Sequence, residues 1–153
     1  MNRLVVETLI HAPREAVFDL SRDVDAHMRS ASFSRERAVP PGRTSGLLER
    51  GDSVTFEGKH FGIRQRFTVH ITEMERPIRY IDEATHRAFR RLRHVHEFEE
   101  TAGGTLMRDT LEWTSPFGIF AGWFLRRFVT KKQRELKRMA ESALDFEVRG
   151  DRR

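Results

Sequence analysis

Two histidines and one aspartate in the second half of the chain are the residues whose types and spacing point most directly to chemistry. His94 and His96 are separated by one residue, so on a β-strand both side chains lie on the same face. Asp109 lies in the next alternating run, and pairing Phe98 with Met107 across the turn between them places His96 opposite Asp109. An imidazole beside a carboxylate can move protons near neutral pH, orient a polar ligand or stabilise the fold.

The two runs that carry these residues predict a β-hairpin, because they alternate in hydropathy on either side of a Gly-rich turn. The side chains expected on one face are Leu92, His94, His96 and Phe98 of the first strand, and Met107, Asp109, Leu111 and Trp113 of the second. Their apolar neighbours predict that this face is buried. An unpaired buried polar group costs about 1–3 kcal/mol. The pattern therefore indicates either a satisfied internal network or a cavity that holds a ligand.

A metal ion is an alternative use of the same residues. His94 and His96 can act as neighbouring zinc ligands, with Asp109 as a third ligand and His60 or His86 as further donors. Such histidine pairs on strands occur without a metal far more often than with one, so we predict no metal and no cofactor. The chain has no cysteine, which excludes disulfides and thiolate metal sites.

Composition describes an ordinary globular domain. Of the 153 residues, 38% are hydrophobic and 33% are charged. We expect one domain over residues 1–148 and a frayed tail over 149–153.

No apolar run approaches the ~20 residues of a membrane span, and the first residues lack the apolar core of a signal peptide, so the expected location is cytoplasmic. The net charge of +5 permits contact with anionic surfaces, but we predict no nucleic-acid partner. The oligomeric state is left open.

The order of elements predicts an α+β architecture. A strand over 4–11 precedes two short helices, which begin near Pro13 and Asp23. About six antiparallel strands follow, and a long amphipathic helix covers 119–147. One such helix can cover one face of a curved antiparallel sheet, but it is too short to fill that face completely. A cavity between sheet and helix is the expected consequence.

This order of elements, with the segments below, resembles the START-like or SRPBCC superfamily, and within it the polyketide cyclase/dehydrase-type subgroup. The segments are IHAPREAVFD at 10–19, GDSVTF at 51–56, HFG at 60–62, DE at 82–83, Phe89, HVHEF at 94–98, GTLMRD at 104–109 and SPFG at 115–118. The resemblance extends from Val5 to about Arg138. It implies the helix-grip fold, in which a curved antiparallel sheet wraps around a long C-terminal helix and two short helices follow the first strand.

The function implied by the resemblance is binding of a small hydrophobic ligand, such as a lipid, an isoprenoid or a polyketide-like molecule. His94, His96 and Asp109 are expected to supply its polar contacts. The expected apolar walls are Phe56, Phe67, Val69, Phe98, Met107, Leu111, Trp113, Trp123 and Phe124. The main alternative is a cyclase or dehydratase in which His96 is the base and Asp109 holds its tautomer. No nucleophile or oxyanion hole accompanies these candidates in the sequence.

A third interpretation concerns the C-terminal helix. Its basic pairs at 126–127 and 131–132 lie close in sequence to Phe117, Phe120 and Trp123, a combination suited to an anionic membrane surface or a partner protein. The competing interpretation is a solvated helix face, partly paired with acidic residues further along the helix.

Overall fold

A seven-stranded antiparallel sheet curves around one long helix in the computed structural model, which describes residues 1–60 and 62–151. The strands are β1 (Asn2–Ile10), β2 (Arg37–Val39), β3 (Ser53–His60), β4 (Ile63–Glu75), β5 (Arg79–His86), β6 (Phe89–Thr101) and β7 (Gly104–Thr114). The helices are α1 (Arg14–Ser21), α2 (Val24–Ser30) and α3 (Gly118–Gly150), with a short 3₁₀ turn at Ser32–Ser34. The predicted helix-grip fold is confirmed.

Two sequence predictions fall partly beyond the described residues. Phe61, in the HFG segment at 60–62 on which the resemblance partly rests, lies outside them, as do the last two residues of the predicted tail over 149–153. The helix α3 itself continues to Gly150.

The strands are arranged in the order β1-β7-β6-β5-β4-β3-β2, so the first strand of the chain lies beside the last. The predicted hairpin is formed by β6 and β7, and its register is confirmed, with Phe98 opposite Met107 and His96 opposite Asp109. Gly104 closes the turn with a φ of 139°. A Cβ at this position would lie 2.2 Å from the carbonyl oxygen of Ile10, so only glycine fits.

The second short helix starts where the sequence indicates. Asp23 is its N-cap, and its carboxylate accepts hydrogen bonds from the backbone N–H groups of Asp25 (2.8 Å) and Ala26 (3.4 Å). This cap fixes the point at which the chain turns from α1 into α2.

Two groups of buried apolar side chains hold the sheet against the helices. One contains Phe18 of α1, Phe98 and Leu136, and the other contains Trp113 and Leu125. The first packs where α1 and α2 meet the sheet, and the second packs under the start of α3. Between them the helix and the sheet separate, and this gap is where the candidate site lies. No helix among the residues described has the length and apolar character needed to cross a bilayer.

Candidate functional site

A cavity of about 580 Å³ lies between the concave face of the sheet and α3. Its wall includes members of both buried apolar groups, such as Ile71 and Tyr80 from the first and Leu111 and Leu125 from the second. Most of the wall is apolar. This volume is within the range typical of pockets for small organic ligands.

Four titratable side chains from three neighbouring strands form what we call the polar cluster: Asp82 of β5, His94 and His96 of β6, and Asp109 of β7. The strand register brings them together, because Asp82 is opposite His94 and Asp109 is opposite His96. Asp82, His94 and His96 line the cavity, whereas Asp109 lies behind the histidines.

The imidazole of His96 lies between two carboxylates. Its Nε2 is 2.8 Å from Asp82 Oδ2, with hydrogen-bond geometry. Its Nδ1 is 2.7 Å from Asp109 Oδ1, and the same oxygen is 3.2 Å from His94 Nε2. These last two contacts are close enough for ion pairing but lack the alignment of a hydrogen bond. The ring of His96 also stacks on Tyr80, with centroids 4.2 Å apart.

Charge in the polar cluster follows from this arrangement. Burial lowers the pKa of His96, but the charges of Asp109 and Asp82 outweigh burial, so its pKa is raised. Burial raises the pKa of Asp109, yet the two histidines hold it well below its usual range. The pKa of Asp82 is lowered for the same reason. For His94, burial and the neighbouring His96 lower the pKa. At neutral pH the geometry therefore favours a protonated His96 between two carboxylates and a neutral His94.

The helix α3 supports the cluster from behind through a buried amide. Gln133 Nε2 donates to Asp109 Oδ2 at 2.7 Å and to the carbonyl oxygen of Val6 at 3.2 Å. Its own oxygen accepts a 2.6 Å hydrogen bond from the hydroxyl of Thr8. Gln133 is only 1% exposed, so these bonds take the place of water around the amide.

A second group of titratable side chains, each partly buried, lines another part of the cavity wall. Glu36 accepts a hydrogen bond from His27 at 2.9 Å and is 3.3 Å from His60. Burial raises the pKa of Glu36, but the two imidazoles outweigh burial and lower the pKa to about 2. Burial, together with Lys132, lowers the pKa of His27. An ionised Glu36 therefore accepts from a neutral His27 at neutral pH.

The structure brings eight of the twelve predicted ligand-contact residues to the cavity wall. These are Phe56, Phe67, Val69, His94, His96, Leu111, Trp123 and Phe124. The other four predicted residues, Phe98, Met107, Asp109 and Trp113, are buried but do not line the cavity.

Three of these four residues are covered because helices pack directly on them. Phe98 lies against Phe18 of α1, with ring centroids 5.2 Å apart, and Met107 belongs to the same buried group. Trp113 lies beneath Gly122 of α3, where an added Cβ would be 3.0 Å from the indole ring. The inward face of the hairpin is thus longer than the cavity, and only its middle part is open.

Several residues of the site were not among the predicted contacts. Asp82 lies between Tyr80 and Ala84 on the inward face of β5, so strand alternation was a signal for it. Gln133 follows Val129 by four residues in the predicted helix, a spacing that places both side chains on the same helix face, and both are buried. Glu36 precedes a strand of only three residues, for which no local pattern was available.

The polar cluster also contains a candidate set of metal ligands. Donor atoms of Asp82, His94 and His96 lie within 4.8 Å of one another, whereas His60 and His86 are not part of this group. Two imidazoles and a carboxylate with one open position is a ligand set used by catalytic zinc.

Comparison with known proteins agrees with the fold. Residues 10–140 match the model of the family described as "Polyketide cyclase / dehydrase and lipid transport". No curated protein is found to match the sequence.

Among solved structures, protein CV1439 from Chromobacterium violaceum is 13% identical, with a TM-score of 0.74 over 92% of this chain and 99% of that one. Ara h 8.0201 is 9% identical, with a TM-score of 0.72 over 92% and 98%. TTHA0849 from Thermus thermophilus is 17% identical, with a TM-score of 0.70 over 93% and 99%. At these identities the likeness is one of fold.

Proposed function

The chain belongs to the polyketide cyclase / dehydrase and lipid transport family, and within this family we propose that it binds one small hydrophobic ligand in the cavity between the sheet and α3. The ligand class is a lipid, an isoprenoid or a polyketide-like molecule. The observation that carries the proposal is the cavity of about 580 Å³, whose wall is mostly apolar and whose polar groups are concentrated in a few places.

The polar cluster suggests which group such a ligand carries. Asp82 lines the cavity, and its Oδ2 is used by His96. Its Oδ1 has no hydrogen-bond partner among the residues that the structure describes. Because the pKa of Asp82 is lowered, this oxygen is a charged acceptor. A ligand hydroxyl at one end of an apolar body would satisfy it, and the rest of the ligand would contact aromatic and aliphatic side chains.

The first test is native mass spectrometry of the purified protein, followed by denaturing extraction of bound molecules. We expect an apolar molecule with at least one hydroxyl, in a ratio of one per chain. If the protein is empty, titration with a fluorescent long-chain alcohol, whose hydroxyl can donate to Asp82, is the next measurement. An empty protein that also fails to bind the probe would contradict the proposal.

A variant that fills the cavity makes the test specific. Val69 lines the cavity from β4, and the neighbouring His70 is exposed on the other face of the same strand. Val69→Trp should reduce the amount of bound ligand or probe at least about tenfold, because the indole occupies the space. His70→Trp adds a similar side chain to the same strand outside the cavity and should leave binding unchanged. Equal binding by both variants would place the ligand elsewhere.

The second candidate function is the cyclase or dehydratase with His96 as base. A general base needs an unprotonated ring nitrogen that reaches the substrate. Both nitrogens of His96 face carboxylates, and its pKa is raised, which weighs against this role. His94 faces the cavity with a lowered pKa and is the better base candidate of the two. Incubation of added hydroxyl-bearing ligands with the protein, followed by chromatography and mass spectrometry, distinguishes the functions. A carrier returns the ligand unchanged, a dehydratase returns it without one water, and a cyclase returns an isomer or its dehydrated form.

A further inference from the structure

Three residues that line the cavity, Phe117, Phe120 and Trp123, are also exposed to solvent and mark its mouth. Ile63 lines the neighbouring hollow together with Phe117, and Ile119 lies between Phe117 and Phe120 in the chain. We call this set the apolar rim: Ile63, Phe117, Ile119, Phe120 and Trp123. Ile119 is 89% exposed, Phe120 81% and Trp123 60%. Five of the eleven large hydrophobic side chains that are exposed among the described residues belong to this one region. Isolated exposed apolar side chains are ordinary, but a contiguous group of this size marks an interaction surface.

Basic residues predominate in the chain segments around the apolar rim. The three chain segments that meet there, 58–72, 84–96 and 113–134, contain twelve of the 28 lysines and arginines and none of the 23 acidic residues. A smaller hollow of about 510 Å³ beside the rim brings these segments together, since Ile63 and Phe117 line it along with Arg64, Arg66 and Arg87.

Some of these cations are not neutralised within the chain. Arg64 and Arg66 pair with Glu57 from outside the three segments. Arg91 and Arg93 likewise pair with Glu83 and Glu112. By contrast, Arg87, Arg126 and Arg127 have no carboxylate partner within the described part of the chain. The guanidinium of Arg127 lies 5.9 Å from the centre of the Trp123 ring, so cation and aromatic surface are presented together.

We propose that the apolar rim and its flanking arginines dock the cavity mouth onto an anionic phospholipid bilayer. Aromatic and aliphatic side chains insert between lipid headgroups, and arginines pair with the phosphates around them. Phe120 and Trp123 line the cavity and are exposed at its mouth, so docking places the opening against the lipid. A second copy of the chain is a poor occupant, since it would oppose two basic surfaces of like charge.

The test is cosedimentation with vesicles of phosphatidylcholine containing about 30% phosphatidylglycerol, compared with vesicles of phosphatidylcholine alone. We expect binding to the anionic vesicles that weakens as NaCl rises from about 50 to about 500 mM, and much weaker binding to the neutral ones. Absence of binding at the lower salt concentration overturns the proposal. Binding to DNA with no binding to vesicles also overturns it.

Two pairs of variants separate specific docking from general adsorption. The double variant Ile119→Ser/Phe120→Ser should reduce vesicle affinity at least about tenfold, because it removes two inserted side chains. Leu9→Ser/Val148→Ser removes two exposed apolar side chains outside the rim and should have little effect. Arg126→Glu/Arg127→Glu should reduce affinity at least about tenfold, whereas Arg3→Glu/Arg149→Glu should reduce it much less. If each rim or arginine variant and its control lose vesicle affinity equally, binding is non-specific and the proposal fails.

Tryptophan fluorescence supplies a readout of the orientation. The chain has two tryptophans, Trp113 at 4% exposure and Trp123 at 60%. Docking should shift the emission to the blue on addition of anionic vesicles. The shift should be absent in Trp123→Phe at a vesicle concentration at which cosedimentation shows that this variant is bound. A shift that survives in Trp123→Phe would contradict docking through the rim. The ligand proposal is tested separately, since Val69→Trp blocks the cavity and leaves the rim intact.

Discussion

Gln133 on α3 donates a 2.7 Å hydrogen bond to Asp109 on β7, and this bond joins the long helix to the polar cluster of the sheet. Both side chains are almost fully buried. The same amide bonds to the first strand through Val6 and Thr8, so three elements meet at one side chain. The position of α3 over the sheet, and with it the width of the cavity, therefore depends on a polar contact as well as on apolar packing.

Replacing this amide tests the contact. Gln133→Leu keeps the approximate volume but leaves Asp109 Oδ2 and the hydroxyl of Thr8 without partners. We expect the free energy of unfolding to fall by about 2–3 kcal/mol, as for loss of a hydrogen bond to a buried charge. Urea unfolding measures this change. Gln65→Leu is the matched control, because Gln65 makes no side-chain hydrogen bond with a described residue, and an equal loss in both variants would contradict the role given to Gln133.

The second prediction concerns the stability that His96 contributes between its two carboxylates. His96→Ala leaves the buried Asp109 and the cavity-lining Asp82 without the cation between them. Removal of one partner from a buried charge group costs about 3–5 kcal/mol. Adding Asp109→Asn to His96→Ala removes one of the two negative charges and should recover part of that loss. Chemical unfolding of the two single variants and the double variant gives the coupling. If the losses in unfolding free energy of the two single variants simply add in the double variant, the charges of His96 and Asp109 do not interact, which would contradict this prediction.

Register is the part of this site that the sequence predicted most directly. A Gly-rich turn and two alternating runs were enough to place His96 opposite Asp109, because a strand offers only two faces. The position of Asp82 could not be predicted from the hairpin alone, because it depends on how β5 pairs with β6. The register of that pair shifts between Ala84 and His86.

The limits of the cavity were not predictable from local pattern. Phe98 and Trp113 have the same alternation and apolar character as Leu111, yet only Leu111 lines the cavity. The difference arises from where α1 and the start of α3 meet the sheet, which is set by packing between distant segments. The site around Glu36 was also not predictable from local pattern, because its imidazole partners come from two distant elements, α2 and β3.

The Glu36 carboxylate makes stability depend on pH. Its pKa in the folded protein is about 2, below its ordinary value of 4.5, so the unfolded chain binds the proton more readily. The contribution of Glu36 to stability is therefore complete above about pH 4.5 and is lost as the pH falls toward 2. The lowered pKa corresponds to about 3 kcal/mol.

Thermal unfolding between pH 2 and pH 7 measures this contribution. The wild-type protein should be more stable than Glu36→Gln at neutral pH, and the difference should shrink as the pH falls through the window from 4.5 to 2. Glu99→Gln is the control, because Glu99 is exposed and its ion-pair partner Arg108 is 3.9 Å away. A constant difference between wild type and Glu36→Gln across the whole range would contradict an ionised Glu36.

Zinc binding at the polar cluster is decided by competition with a proton. Donor atoms of Asp82, His94 and His96 lie within 4.8 Å of one another, which is close enough for a metal to gather them. Binding through His96 Nε2, however, must break its 2.8 Å bond to Asp82 and remove a proton from a ring whose pKa is raised. Metal affinity falls when a ligand must first be deprotonated.

We therefore expect one equivalent of zinc at neutral pH to leave the melting temperature of the protein unchanged. Any zinc effect should grow as the pH rises through the raised pKa of His96, because the competing proton is then lost. Differential scanning fluorimetry at several pH values measures this. A rise in melting temperature at neutral pH that His94→Ala abolishes and His86→Ala preserves would contradict the prediction, since it would show that the metal displaces the proton and uses the cavity-facing imidazole.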